Sequence, residues 1–336
     1  MYRLLKQLKN KLSYVYGQNV YLSTRGNLEN YIEIEFQQNQ ITKWKQKIQV
    51  KSKYHIPTVW EYEKCCFFGF GDKIEIRSKV DGNIIYSFII NEFFGFHDNY
   101  FIDIKKLEND KRNVSLYRIE DKIKIVKSIS NDDKATYFNV GDNLYSTSRT
   151  AITSYNNKKW KHLYSSLLAS PNASFQSQIL SSDEKLYFII TGNDNAGLFV
   201  LDKDIGKVIK HFKGLTRPMF MDGDYIYTTK YKNILCRIII TTLKLEEWDC
   251  NNLITENGFL SIHDHNCAVI NGKFCFTQSL GDYKAKLGVL DWERKELTFT
   301  YSFQASKGSI GGIQMNKENI FVYTQDDALH VFEKTE

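Results

Sequence analysis

The residue types best suited to chemistry gather in Ser261-Ile262-His263-Asp264-His265-Asn266-Cys267. In an extended segment, residues two apart point to the same side. His263 and His265 would then offer two neutral imidazole nitrogens to one metal ion. A third ligand would have to come from Asp264, Cys267 or another part of the chain. Two ligands without a matched third read first as a polar loop leading into the strand Ala268–Ile270. His97-Asp98 is a second candidate, an acid–base dyad. It falls between two strand-like segments, where Asp favours turn geometry, and the turn reading is preferred. Were the chain a hydrolase or lyase, His97, His263, Asp264 and His265 would be its catalytic residues. His55, His162, His211 and His330 stand alone among strand residues.

The remaining chemical patterns are incomplete. Gly308-Ser309-Ile310-Gly311-Gly312 lacks the Lys-Ser/Thr ending with which a phosphate loop reaches phosphate and Mg²⁺. Thr191-Gly192-Asn193-Asp194-Asn195 offers oxygen ligands, but a bidentate Glu at calcium-loop spacing is missing. The acidic pairs Asp132-Asp133, Glu246-Glu247 and Asp326-Asp327 would point to opposite faces of a strand, so neither member of a pair assists the other. The six cysteines form no C-x-x-C pair and mostly sit in apolar runs, as buried thiols do. No metal and no cofactor are expected.

The elements that must position these residues recur. A short aromatic strand, often after a turn of Gly, Asn or Asp, appears around Tyr21, Phe67, Phe101, Tyr145, Tyr187, Tyr227, Phe274 and Phe321. The intervals run from 34 to 47 residues, about 43 on average, which is the period of a four-stranded propeller blade. In the fifth unit, Ser177–Leu180 reads as an inner strand, Lys185–Ile190 as the aromatic strand, Leu198–Leu201 as a third and Lys207–Phe212 as a fourth. Along that fourth strand Val208, Lys210 and Phe212 share one face and Lys207, Ile209 and His211 the other, an imperfect polar split. In the first unit the split is clean: Lys43, Lys45 and Lys47 alternate with Trp44, Gln46 and Ile48, and lysines on an outer strand oppose edge-to-edge aggregation. Met1–Leu12 carries Leu4, Leu8 and Leu12 at helical spacing; it is either a short helix or the strand that closes the last unit. The fold expected is all-β, a β-propeller of seven or eight four-stranded blades, its ring closed by N- and C-terminal strands. A pair of β-sandwiches is the alternative.

The segment Gly197-Leu-Phe-Val-Leu-Asp-Lys-Asp-Ile-Gly-Lys-Val-Ile-Lys-His-Phe212 resembles the repeat of quinoprotein-type (PQQ-like) β-propellers: a strand ending in Leu-Asp, a turn ending in Gly-Lys, and a second strand. Lys79-Val80-Asp81-Gly82-Asn83-Ile84 echoes it, and Leu287–Asp291 echoes its first half. The resemblance implies blade architecture and no particular cofactor. The tryptophan that often closes that repeat has no regular spacing here, and Trp248-Asp249 occurs once, without the Gly-His that accompanies a WD dipeptide.

Composition narrows the function classes. With 14% aromatic and 42% hydrophobic residues among 336, the chain can bury a core and is not disordered. No run of apolar residues is long enough for a membrane-spanning helix, so membrane insertion is not expected. Basic clusters at Arg3–Lys11, Lys43–Lys53 and Lys158–Lys161 lie near Tyr and Trp, but a net charge of +6 is mild and scattered. No nucleic-acid motif is readable, and nucleic acid is not the expected partner. No signal peptide is visible; a cytoplasmic, monomeric, single domain over 1–336 is expected.

Function then rests on loops. The long connections are Lys105–Asn113, Ser165–Ala173, Thr191–Ala196, Asn251–Asp264 and Gln278–Lys284. Each joins a second strand to a third, or a fourth strand to the next unit, and these two kinds of connection fall on one face. The expectation is a non-enzymatic protein-binding propeller, of the kind of a bacterial immunity or antitoxin protein that caps a toxin. Its expected contact residues are Lys105, Lys106, Arg112, Asn193, Asp194, Asn195, His263 and Tyr283. The alternative is the hydrolase or lyase, with a pocket at the channel mouth.

Overall fold

The structure, a computed structural model, describes residues 2–335 except 25–30, 51–56, 71–72, 92, 108–110, 121–122, 132–134, 177, 183, 263–265, 279–284 and 304–309. The described residues form eight antiparallel sheets, numbered here in chain order. Each expected aromatic anchor falls in the second strand of its sheet: Asn19–Thr24, Cys65–Gly69, Tyr100–Lys106, Asn143–Thr147, Lys185–Thr191, Tyr225–Lys230, Lys273–Gln278 and Asn319–Thr324. The count is therefore eight and not seven. The first strand of sheet 5 is split into Ser174–Phe175 and Leu180–Ser182, both paired with Lys185–Thr191. Among the described residues, helix is confined to α1 (Tyr164–Leu168) and α2 (Asn251–Glu256). No helix among the described residues is long and apolar enough to cross a membrane.

The helical stripe at the N-terminus is not a helix. Tyr2–Lys9 is the outer strand of sheet 8, paired antiparallel with Ala328–Lys334. Pairing between the two ends of the chain supplies the backbone partners that a short isolated helix would have to find alone.

The fourth strands are Ile41–Gln49, Ile84–Ile89, Ile123–Asn131, Trp160–Leu163, Val208–Lys213, Lys244–Asp249 and Glu296–Ser302, with Tyr2–Lys9 in that place in sheet 8. Their pairing with the neighbouring strand slips by one residue in sheets 1, 2, 3, 5, 7 and 8. The extra residues are Lys43, Ile85, Val126, Ile209, Thr298 and Leu5. Such bulges raise the local twist and reset which face a side chain occupies. This is why the polar split along 207–212 fails at Ile209.

The chain divides into two compact units. The first holds residues 1–17, 165–203 and 207–336. Its core lies between successive sheets, as where Tyr187, Leu198 and Val200 of sheet 5 meet Met219, Ile226 and Ile238 of sheet 6. The second holds 18–164 and 204–206. In it Tyr21, Phe36 and Trp44 stand opposite one another across three strands of sheet 1. Their ring centroids are 4.8 Å apart for Tyr21–Phe36 and 5.4 Å for Phe36–Trp44. Cross-strand aromatic rows of this kind are the unit of sheet stability.

Sheet 1 also carries an acid-sensitive contact. Glu35 accepts hydrogen bonds from Thr42 Oγ1 at 2.6 Å and Gln37 Nε2 at 2.7 Å, and pairs with Lys45 at 3.0 Å. Burial pushes its carboxyl up, but the bonds from Thr42, Gln37 and Lys45 outweigh that and hold it at about 2, below the ordinary 4.5. A depressed carboxylate stabilises the fold above its unfolded pKa and loses that contribution as pH falls through the folded value. Thermal unfolding is expected to show this loss between about pH 4.5 and about pH 2, and Glu35→Gln should flatten the pH dependence in that window. An unchanged slope in Glu35→Gln would refute the assignment.

Candidate functional site

In the first unit the two kinds of connection meet, as expected, and an asparagine joins them twice. Asn193, between the second and third strands of sheet 5, donates through Nδ2 to Leu168 O at 3.3 Å. Asn233, between the second and third strands of sheet 6, donates through Nδ2 to Leu260 O at 3.2 Å and to Asn251 Oδ1 at 3.0 Å. Its Oδ1 accepts from Ile262 N at 3.1 Å. Asn233 adopts φ +63°, a conformation in which Asn is favoured over most residues.

The connection that Asn233 holds is not the plain loop expected over 251–264. It opens with α2 and ends that helix in a Schellman motif: Gly258 N donates to Thr255 O at 3.0 Å and Phe259 N to Ile254 O at 2.9 Å. Gly258 has φ +73°, the left-handed position that favours glycine. Phe259 and Ile254 are both buried in the core between sheets 6 and 7. Lys286 Nζ donates to Gly258 O at 2.9 Å and lies 5.3 Å from the Phe259 ring centroid. Gln278 Oε1 accepts from Leu260 N and, at 3.3 Å, from Ser261 N.

The result is a fixed platform with an apolar tip. Leu260 has both backbone polar groups engaged, yet its side chain is 69% exposed. Tyr231, two residues before Asn233, is 74% exposed. Neither was singled out by its type or spacing. An apolar residue directly after Gly258-Phe259 was the only signal available for Leu260.

The expected site residues fare differently. Asn193, Asp194 and Asn195 are exposed. Asn193 Oδ1 accepts from Asn195 N at 2.9 Å, a local turn that uses an oxygen the calcium reading needed. Lys105, Lys106 and Arg112 are not loop residues. They lie in paired strands, with Lys105 opposite Asn113 and Lys106 opposite Arg112, because the hairpin continues to Leu107. His263, Asp264, His265 and Tyr283 lie outside the described residues. His97 Nδ1 is 3.3 Å from Asp98 Oδ2, both side chains exposed, and Asp98 has φ +52° in the turn between two strands. The acidic neighbours Glu246 and Glu247 face apart, Glu246 to Arg237 at 2.7 Å and Glu247 to Lys230.

All six cysteines are free and five are buried. Burial pushes the Cys66, Cys236 and Cys250 thiols up to about 12, so they are protonated near neutrality and weak nucleophiles. Clefts of the second unit include one of about 430 Å³ beside Asp142, Asn156 and Lys158 and one of about 480 Å³ beside Tyr62, Cys65 and Glu120. Neither is lined by His97.

No protein-family model matches the sequence, and no curated protein matches it. Solved structures do match in fold. BamB from Moraxella catarrhalis aligns over 100% of this chain and 98% of its own, with a TM-score of 0.58 and 8% identity. Virginiamycin B lyase from Staphylococcus aureus aligns over 100% of both chains, with a TM-score of 0.52 and 15% identity. The Cps50 (Swd1) β-propeller domain of Myceliophteria thermophila also aligns over 100% of both, with a TM-score of 0.54 and 8% identity. With its eight four-stranded sheets, the chain is an all-β protein of the β-propeller class. At these identities the likeness is one of fold alone.

Proposed function

We propose that this propeller is a non-enzymatic protein-binding scaffold, and that in its first unit the platform around Leu260 and Tyr231 is the docking surface. The observation that carries the reading is the large exposed side chain of Leu260 on backbone already fixed by Asn233 and Gln278, with exposed Tyr231 two residues before Asn233. Aromatic and aliphatic anchors dominate binding energy, and a pre-ordered loop pays less on association. Asn193–Asn195 would add polar contacts. An immunity role, with a toxin as the partner, is one form of this reading, and no residue of the platform selects it.

Kinship with the PQQ-like repeat is the accompanying proposal, supported by packing. Gly82 and Gly206 each close a third-to-fourth-strand turn at positive φ, and each lies against a tryptophan of an outer strand, Trp44 and Trp160. Trp248 faces Trp292 of the equivalent turn in sheet 7, with centroids 6.1 Å apart. Three of the five tryptophans, Trp44, Trp160 and Trp248, therefore occupy equivalent places on outer strands.

Affinity capture from the source cell tests the docking reading. Leu260→Asp and Tyr231→Asp should each weaken a captured complex by about 2 kcal/mol, roughly 30-fold, with melting temperature unchanged. A complex indifferent to both changes, or no complex at all, would overturn it. The hydrolase or lyase alternative predicts instead that activity follows His97→Ala or His263→Ala.

A further inference from the structure

Sheet 8 joins the two ends of the chain, and a buried histidine sits at that seam. His330 lies in the third strand, Ala328–Lys334, directly opposite Gln7 of the closing strand Tyr2–Lys9 and Val322 of the second strand. It is 9% exposed, and its ring meets Phe303 edge-on with centroids 5.0 Å apart. Nε2 is 3.2 Å from Thr324 Oγ1. The Thr324 hydroxyl gives its one proton to Asp326 Oδ1 or Ala328 O, so it accepts from Nε2–H. That assigns the proton of the neutral ring to Nε2 and leaves Nδ1 bare. Nδ1 is shut off from solvent and has no hydrogen-bond partner among the described residues. A bare ring nitrogen is tolerated there, whereas a charged N–H with neither acceptor nor water is costly.

We propose that this histidine is an acid-sensitive latch: protonation at Nδ1 releases the closing strand Tyr2–Lys9 from Ala328–Lys334 and opens the seam. The closing strand is the element that gives way. It is terminal in its sheet, pairs only with Ala328–Lys334, and slips in register between Leu4 and Lys6. Gln7 faces the same side as His330 across that pairing, so its departure uncovers the ring. The third strand is held on its other side by Asn319–Thr324, whose Ile320 and Val322 are fully buried.

The charges around the ring leave this effect standing. Lys9 and Lys334 share its face along the two strands and are exposed. The Asp327 carboxylate accepts from the Tyr323 hydroxyl, and the first strand, Ile310–Met315, carries no charge. Sheet 7 contributes the Cys275 thiol and the Tyr301 phenol to the adjoining core. Asp326 is the residue whose charge acts on the imidazole; it favours the protonated ring, but burial outweighs it and holds His330 below its ordinary 6.5. With the folded value lowered, the stability carried by the neutral ring is complete above the unfolded value and is lost as pH falls below it. The latch is independent of the Leu260 platform.

Hydrogen exchange on the purified full chain tests it. Protection factors at Tyr2–Lys9 should fall several-fold, up to about tenfold, between about pH 8 and about pH 5.5, ahead of those in the second strand of sheet 8. His330→Phe keeps an aromatic ring beside Phe303 and cannot be protonated; in it the protection of Tyr2–Lys9 should no longer vary over this range. His330→Gln, which does not titrate either, gives a second readout that does not depend on fitting a phenyl ring. His211 of sheet 5 also has a solvent-excluded ring nitrogen without a partner, so His211→Phe is the control and should leave the fall at Tyr2–Lys9 unchanged. Wild-type protection at Tyr2–Lys9 that stays constant with pH, or a fall as large in both His330 variants as in the wild type, would overturn the proposal.

Discussion

Asn233→Ala should destabilise the protein by about 4 kcal/mol and free the Leu260 backbone, the larger effect being local. The side chain is 5% exposed and makes three hydrogen bonds, to Asn251 Oδ1, Leu260 O and Ile262 N. Each is worth about 1 kcal/mol, and more where a buried group is left without a partner. Ile262 is fully buried, so its N–H has no ready access to water. Alanine also pays about 1 kcal/mol to hold φ +63°. Asn233→Gly separates the two costs, since it relieves the backbone and still removes the bonds; it should lose about 3 kcal/mol. Urea unfolding gives the totals. Hydrogen exchange at Leu260, Ser261 and Ile262 reports the local release, and protection there equal to wild type in both variants would disprove the role assigned to Asn233.

The second large effect is expected at Glu75. Lys73, Glu75 and Arg77 lie two apart on the third strand of sheet 2, and so share a face, with Ile74 and Ile76 on the other. The face is polar but not solvated: Glu75 is 3% and Arg77 6% exposed. Arg77 donates to Glu75 Oε2 through Nε at 2.9 Å and through its second terminal nitrogen at 2.6 Å, and to Gly82 O at 2.8 Å. Lys73 Nζ reaches Glu75 Oε1 at 2.6 Å. Glu75→Leu leaves the Arg77 charge buried with only a carbonyl to meet it, which should cost about 3–5 kcal/mol. The double variant Glu75→Leu/Arg77→Met removes both charges and should recover most of that loss. A single variant as stable as the wild type, or a double variant no better than the single, would show that the pair is not coupled in this way.

These two sites mark the boundary of what the chain reveals before it folds. The eight aromatic anchors, their period of about 43 residues and the alternation along Lys43–Ile48 are local: a side chain's partner in a strand is decided by period and by the next strand in sequence. They were sufficient for the all-β class, the repeat and the place of each second strand. The number of sheets was open between seven and eight because the 34-residue interval between Phe67 and Phe101 blurs one boundary. The candidate site was less legible. The facing of connections could be reasoned from antiparallel topology, but the residues that make the platform could not. Asn233 and Leu260 are 27 positions apart, and Gln278 is 18 beyond Leu260.

Of the two readings of the N-terminal stripe the closing strand is the one found, whereas the polar split along 207–212 failed at Ile209. A one-residue bulge against the neighbouring strand resets which side each later residue faces, and a bulge leaves no mark in the periodicity that betrays a strand. Glu75 and Arg77 show the same limit from the other direction. Alternation correctly divides the strand into two faces, but whether the polar face meets water or protein depends on what covers it. By itself the sequence determined the repeat, because short-range pairing and apolar patterning are written residue by residue. Only the tertiary structure decided which apolar side chains stay exposed and which charges are buried, because exposure is a property of the neighbours brought in from elsewhere in the chain.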